Sequence, residues 1–153
     1  MLVVSQMKTF IFFCIDALAS VHSNYSSELT KESPKYAKEC NDRYYYYEAI
    51  QLTVFTSGYY RLVMSQVWNG HFYIDIHMYQ NHFDPFNPKK NAISIKDYAC
   101  LRKNEREFAV DLRHDDTYTI VVMTDNHDDV SPFSIAVYGP SNVTLHRISK
   151  YQQ

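Results

Sequence analysis

The strongest constraint on the fold is a two-residue alternation of apolar and other side chains between Tyr44 and Ile148. The clearest run places Phe72, Ile74, Ile76 and Met78 at alternate positions. Because successive side chains of a strand point to opposite faces, this period predicts strands with one face in a core. Turn signals separate such runs about every ten residues, and no stretch has the helical period of an α/β crossover. We therefore expect an all-β fold, an antiparallel β-sandwich or jelly roll of about eight strands.

Composition supports this class and excludes others. The 153 residues carry a formal net charge of −2, which argues against a dedicated nucleic-acid-binding protein. The hydrophobic content of 46% is too high for a disordered chain. The 14 Tyr and only 3 Gly favour strands, because flat rings pack well on a pleated surface.

The first residues have the order of a secretory signal peptide. Lys8 precedes an apolar run from Thr9 to Leu18, and small residues follow in Ala17-Leu18-Ala19 and Val21-His22-Ser23. The run is too short to cross about 30 Å of hydrocarbon as a helix, so no membrane span is expected in the mature chain. The alternative is that this run is a buried strand or helix of the domain.

The chain accordingly divides into three segments. We expect a signal peptide over 1–22, a polar leader over 23–43 and a β-sandwich module over 44–149. A short helix is considered for the leader between Ser33 and Glu39. The product would be secreted into the extracellular space.

Cysteines and glycan acceptor sequences agree with secretion. Cys14 leaves with the signal peptide, and Cys40 and Cys100 are expected to pair in an oxidising compartment. Two free buried thiols remain the alternative, since two cysteines alone prove no contact. Asn24 and Asn142 begin Asn-x-Ser/Thr sequences and are predicted glycosylation sites on the surface.

Three segments resemble strands of the bacterial pre-peptidase C-terminal domain. Asp75–Tyr79 resembles its Asp-x-x-Leu-Tyr strand, Asp116–Val122 its Gly-Thr-Tyr strand, and Phe133–Val137 its closing strand. Some of these domains bind calcium, at a position that would fall near Lys96–Glu105. Lysine and arginine residues are interleaved there and disfavour a cation.

A second resemblance covers the whole module. The region from Tyr44 to Ile148 is similar to β-sandwich repeat modules of secreted and cell-surface proteins of small invertebrates, rotifers among them. It shares their opening at Tyr46–Ile50, their loop at Phe83–Pro88 and their ending at Gly139–Leu145. The resemblance implies a non-catalytic extracellular module, and it implies no catalytic residues.

Two groups of side chains are candidate metal ligands. His71, Asp75 and His77 share one predicted strand face, and a ligand from His82 or Asp84 would complete a zinc site of a metal-dependent hydrolase. The alternative interpretation is a solvated polar face.

The second group is an acidic loop. It has the closely spaced oxygen ligands that suit calcium, although its order matches no EF-hand. The alternative is a solvated turn. Its residues are Asp125, Asn126, Asp128 and Asp129.

No convergent catalytic motif is present in the sequence, and we expect a protein that is not an enzyme. The remaining signal is aromatic. Rigid rings on a surface favour binding of a glycan or an extracellular protein. The alternatives are that these rings pack against a neighbouring sheet or domain, and that the chain is a structural remnant of a longer repeat protein. The candidate binding residues are Tyr59, Trp68, Tyr73, Tyr79, Phe83 and Phe86.

Overall fold

The structure, a computed structural model, describes residues 20–37, 43–66, 74–93, 107–124 and 130–149. Within these ranges the chain contains nine strands and no helix, so the predicted all-β class is confirmed. The strands are β1 (Val21–Leu29), β2 (Lys35–Ala37), β3 (Tyr44–Val54), β4 (Gly58–Gln66), β5 (Ile74–Gln80), β6 (Glu107–Leu112), β7 (Tyr118–Thr124), β8 (Ser131–Gly139) and β9 (Val143–Arg147).

Two antiparallel sheets form a sandwich. One has four strands in the order β1-β8-β4-β6, and the other has the order β2-β3-β7-β5 with β9 also paired to β3. β7 pairs with Tyr47–Leu52 on one side of β3. On the other side, β2 pairs with Tyr44–Tyr46 and β9 with Ile50–Val54, so the two short strands follow one another along β3.

The inward faces of both sheets share one hydrophobic core. Alternation places every second residue of the long strands β3, β4, β5, β7 and β8 on the side of this core, as a strand period of two requires. Its buried residues include Ile50, Leu52 and Val54 of β3, Tyr60, Leu62 and Met64 of β4, Ile74, Ile76 and Met78 of β5, Ile120 and Val122 of β7, and Phe133, Ile135 and Val137 of β8.

A second hydrophobic layer covers the other side of the five-stranded sheet. Phe83, in the segment after β5, lies at its centre, with ring centroids 4.9 Å from Tyr79 and 5.2 Å from Tyr47. We call this layer the outer aromatic cluster; it comprises Tyr36, Tyr45, Tyr47, Ala49, Tyr79, Phe83, Val121 and Met123. β3 and β7 are therefore buried on both faces over most of their length.

The outer aromatic cluster corrects the prediction that one face of β5 is solvated. Tyr79 and Phe83 were expected on an exposed surface, but they are only 0% and 3% exposed. Asp75 on the same face is also buried, and His77 is partly buried. The alternation correctly predicted two different faces, but the side chains of distant segments decided that both would be covered.

The described residues before Tyr44 include the predicted polar leader and the last residues of the predicted signal peptide, because Val21 and His22 belong to the same strand as the start of the leader. Val21–Leu29 is the edge strand of the four-stranded sheet, paired along its whole length with β8. Instead of a helix near 33–39, Lys35–Ala37 form a strand against β3. The sequence pattern did not predict β1, because its inward positions include Ser23, Tyr25 and Ser27 and therefore show no alternation of apolar and polar residues.

Several predicted features lie outside the described residues. These are the apolar run of the signal peptide, all three cysteines and the acidic loop from Asp125 to Asp129. Ala92 forms a single bridge with Tyr79 just before the described residues end at Ile93. In the part of the chain that is described, no helix has the length and hydropathy needed to cross a membrane.

Gly139 provides a test of the core packing. It ends β8 directly against the buried ring of Tyr60, and a Cβ atom at position 139 would overlap that ring. Tyr60 is held in place because its hydroxyl donates to the Thr56 carbonyl at 2.7 Å. Overpacking of this kind costs about 1–3 kcal/mol, so Gly139→Ala should lower the free energy of unfolding in urea by that amount.

The matched control combines this change with Tyr60→Leu. The double variant should lose less stability than the sum of the two single variants, because the shorter side chain makes room for the methyl group. Strictly additive losses would show that the methyl group does not meet the ring.

Candidate functional site

The predicted metal ligands are not brought together in the described residues. Asp75 and His77 lie on the outer side of β5, opposite Met123 and Val121 of β7. Among residues that the structure describes, no group of three or more His, Cys, Asp or Glu side chains could hold a metal ion. Asp84 instead accepts a hydrogen bond from the Phe86 backbone at 3.0 Å and shapes its own loop. His71 and the acidic loop lie outside the described residues.

A buried carboxylate links the two sheets. Glu48 of β3 is in phase with Ile50 and Leu52 and points into the sandwich, where its side chain is 1% exposed. The hydroxyl of Tyr25 donates to Oε1 at 2.6 Å, and that of Ser27 to Oε2 at 2.9 Å. Both donors belong to β1 of the opposite sheet, so this carboxylate fastens the edge strand to β3.

Arg147 of β9 completes the coordination of the carboxylate. Its Nε lies 3.2 Å from Oε2 of Glu48, and its side chain is 54% exposed. A buried charge is tolerated only when it is paired and hydrogen-bonded, and these three donors satisfy that requirement. Since every donor is already engaged, this cluster is a structural link between sheets and not an open site.

The cluster changes the acidity of Tyr25. Burial, together with the hydrogen bond to Glu48 and its negative charge, raises the pKa of the Tyr25 phenol well above its ordinary value of 10.0. The neutral phenol is thereby favoured as a donor to the carboxylate. The sequence carried one signal of this cluster, a charged residue at an inward position of an otherwise apolar strand face.

The four-stranded sheet has a different outer surface, which we call the open face. It is solvent-accessible and combines rings, small side chains and hydrogen-bonding groups. Its residues are His22, Asn24 and Ser26 of β1, Ser134, Ala136 and Tyr138 of β8, Tyr59, Arg61, Val63 and Ser65 of β4, and Glu107, Ala109 and Asp111 of β6.

Strand register places the rings of the open face side by side. Tyr138 is paired with His22 on one side and with Arg61 on the other. The His22 and Tyr138 ring centroids are 5.6 Å apart, and the Arg61 guanidinium carbon is 5.7 Å from the Tyr138 centroid. The Tyr138 ring is thus held between an imidazole and a cation, in an orientation that limits its rotation.

Arg61 is fixed from its other side. Its Nε donates to the carboxylate of Glu107 on β6, and this hydrogen bond raises the pKa of Arg61 and lowers that of Glu107. Both side chains are about half exposed, with values of 50% and 48%. The pair contributes little to stability, but it gives the open face a preoriented donor and acceptor beside an aromatic ring.

Small side chains flank this row. Ala136 pairs with Val63 and Ala109 pairs with Arg61, and Ser26, Ser134 and Ser65 form a row of hydroxyls across three strands. Tyr59, the second residue of β4, lies on the same face and is 65% exposed. The arrangement can stack a ring-shaped ligand and hydrogen-bond its hydroxyl groups.

The aromatic candidates from the sequence divide into three groups. Tyr59 and Phe86 are exposed, at 65% and 98%. Tyr79 and Phe83 are buried in the outer aromatic cluster, and Trp68 and Tyr73 lie outside the described residues. The sequence interpretation missed Tyr138, His22 and Arg61. For Tyr138 the available signal was its phase, since it alternates with the inward Val137 and Ile135.

Comparison with known proteins adds no assignment. The chain matches no protein-family model, and no curated protein and no solved structure is significantly similar to it. The case for a function therefore rests on the residues of this chain.

The contacts of the buried Glu48 carboxylate with Tyr25, Ser27 and Arg147 predict that Glu48→Gln destabilises the protein. An amide keeps the shape of the side chain but loses its charge and one acceptor oxygen, so Tyr25, Ser27 and Arg147 lose the carboxylate they share. Hydrogen bonds to charged groups are worth about 1.5–3 kcal/mol, and we expect the free energy of unfolding in urea to fall by about that amount. Glu107→Gln is the matched control, because it breaks an exposed ion pair that contributes little to stability. Equal effects of the two variants would contradict the assigned role.

The raised pKa of Tyr25 predicts that the free energy of unfolding depends on pH in the alkaline range. Its pKa is higher in the folded state than in the unfolded state, so its stabilising contribution is complete below about pH 10 and declines as pH rises further. The stability advantage of the wild type over Tyr25→Phe should therefore be constant up to about pH 10 and shrink as pH rises above that value. The slope should stay below the limiting value of about 1.4 kcal/mol per pH unit, because the phenol is only partly buried. Parallel stability curves for the two proteins would refute this account.

Proposed function

We propose that this protein is a secreted, non-catalytic β-sandwich module that binds a neutral glycan through the open face. The observation that carries the proposal is the row formed by His22, Tyr138 and Arg61 on a sheet surface that no other described segment covers. Aromatic rings stack on the apolar face of a sugar, and an arginine–glutamate pair can donate to and accept from its hydroxyls. Rigid rings give contact area at small entropic cost.

Charge favours a neutral ligand over an anionic one. Arg61 is the one Lys or Arg side chain placed on the open face within the described residues. It is already paired with Glu107, and Asp111 adds a further negative charge on the neighbouring strand. An acidic polysaccharide would meet net repulsion at this surface.

The exposure of both glycan acceptors supports export, and the start of β1 indicates where the signal peptide would be cleaved. Both Asn24 and Asn142 are solvent-exposed, as glycan acceptors must be. β1 begins at Val21, and the Ser23 hydroxyl accepts a hydrogen bond from the Val143 backbone at 3.0 Å. Cleavage after Ser23 would remove three residues of this strand, whereas cleavage after Ala19 leaves it whole. We therefore place the mature N-terminus at Ser20.

The binding proposal is tested with tyrosine variants of unglycosylated protein. Tyr138→Ala and Tyr59→Ala should each weaken binding at least tenfold, because interface aromatics commonly carry more than about 1.4 kcal/mol of binding energy. The measurement is binding to an array of neutral oligosaccharides, followed by pull-down on chitin, cellulose and β-glucan particles. Tyr44→Ala is the matched control, since Tyr44 is 60% exposed but belongs to the five-stranded sheet.

Two outcomes would overturn this proposal. Equal loss of binding in Tyr44→Ala would show that the open face is not the site. Failure of the wild type to bind any neutral glycan, with binding to an extracellular protein instead, would assign the surface to protein recognition.

A further inference from the structure

We infer that Asn24 carries an N-linked glycan whose first sugars lie on the open face and cover the Tyr138 ring, so that glycosylation closes the proposed binding surface. The inference rests on the proposed function for export and for the role of this face. The occupant is identified by the chain itself, because Asn24-Tyr25-Ser26 is an acceptor sequence within the open face. It also gives the two acceptor asparagines different roles.

The backbone of β1 directs Asn24 outward. Tyr25 and Ser27 point inward to Glu48, so their neighbours Asn24 and Ser26 must point to the opposite side of the sheet. Asn24 is exposed, and it pairs across the sheet with Ala136. A side chain on a strand stands roughly perpendicular to the sheet, so a sugar on Asn24 begins directly above this surface.

The neighbours of Asn24 leave room for a sugar and offer it a platform. Ala136 presents only a methyl group, and Val63 on the next strand is partly buried. Tyr138 is two residues beyond Ala136 on β8, about 6.7 Å from it, and the Tyr138 ring lies between His22 and Arg61. Asn24 and Tyr138 are diagonal neighbours on adjacent strands, about 7–8 Å apart, so the first N-acetylglucosamine begins beside the Tyr138 ring and can lie over its solvent-facing part.

The edge position of β1 gives the glycan a second effect. β1 is the outermost strand of its sheet, and an exposed edge can pair with another chain. A bulky sugar on an outward residue of that strand blocks close approach of a second sheet.

Asn142 is placed differently. It lies in the turn between β8 and β9, which connects the two sheets at one end of the sandwich. Its side chain is exposed, but it is not part of the open face. A glycan at this position would leave Tyr138 accessible, which makes Asn142 an internal control.

The modification itself is a glycosyl transfer. The donor is an oligosaccharide linked through its anomeric carbon to a lipid diphosphate. The Asn24 amide nitrogen forms a bond to that carbon, the carbon–oxygen bond to the diphosphate breaks, and the proton lost by the amide leaves with the diphosphate. No change of oxidation state occurs.

The experiment uses full-length protein secreted from eukaryotic cells, as wild type, Asn24→Gln and Asn142→Gln. Intact mass before and after enzymatic removal of N-glycans reports occupancy, and hydroxyl-radical footprinting reports exposure of Tyr138. We expect Tyr138 to be modified at least threefold faster in Asn24→Gln and after glycan removal, and at the wild-type rate in Asn142→Gln. Tyr44, on the other sheet, should react equally in all samples. Ser26→Ala, which removes the acceptor sequence but keeps Asn24, should behave as Asn24→Gln does.

The outcomes separate this inference from the proposed function. A secreted protein that carries a glycan at Asn142 alone, or whose Tyr138 reactivity ignores the Asn24 glycan, overturns the inference and leaves export and binding standing. A chain retained in the cell without any glycan overturns the export proposal and this inference together. If the unglycosylated protein binds no neutral oligosaccharide but Tyr138 is still shielded, the glycan covers the face and the binding proposal alone is wrong.

Discussion

Burial of the five-stranded sheet on both faces is the constraint on which the rest of the structure depends. Its inner side forms the sandwich core, and its outer side is covered by the outer aromatic cluster around Phe83. β7, with all seven residues buried, has no surface to offer to a ligand. The four-stranded sheet therefore presents the one sheet face in the described residues that is accessible and rich in functional groups. The candidate site lies on the four-stranded sheet because the hydrophobic side chains of the chain cover both faces of the five-stranded sheet.

The Glu48 cluster connects this constraint to the candidate site. Tyr25 and Ser27 hold β1 to β3 across the interior, and Arg147 neutralises the charge. Because residues alternate along a strand, fixing their inward hydroxyls also fixes the outward residues of β1, among them His22 and Asn24. A polar link of this kind adds little net stability compared with an apolar contact, but its geometry allows one register of β1 against the core. We regard it as the element that positions the edge of the open face.

The proposed function and the inferred glycan share one surface and one chemistry. Under the proposed function these rings contact a sugar from solution, and a sugar attached to Asn24 would compete with it at a high effective concentration. Glycan occupancy would then decide whether the face is available to other molecules. The chain offers a natural comparison, since its second acceptor asparagine stands in a turn that joins the sheets.

Local alternation determined the all-β class from sequence alone, and with it the inward face of β5, formed by Ile74, Ile76 and Met78. A period of two is a property of the strand backbone and needs no knowledge of the partner. The tertiary structure decided which other segments of the chain pack against each strand face. β1 could not be predicted from the sequence, because its inward residues Tyr25 and Ser27 are polar and are buried through their hydrogen bonds to Glu48. The burial of Tyr79 could not be predicted either, because it depends on packing against Phe83. Pairing between segments far apart in the chain decided which outward surface was covered and which stayed open.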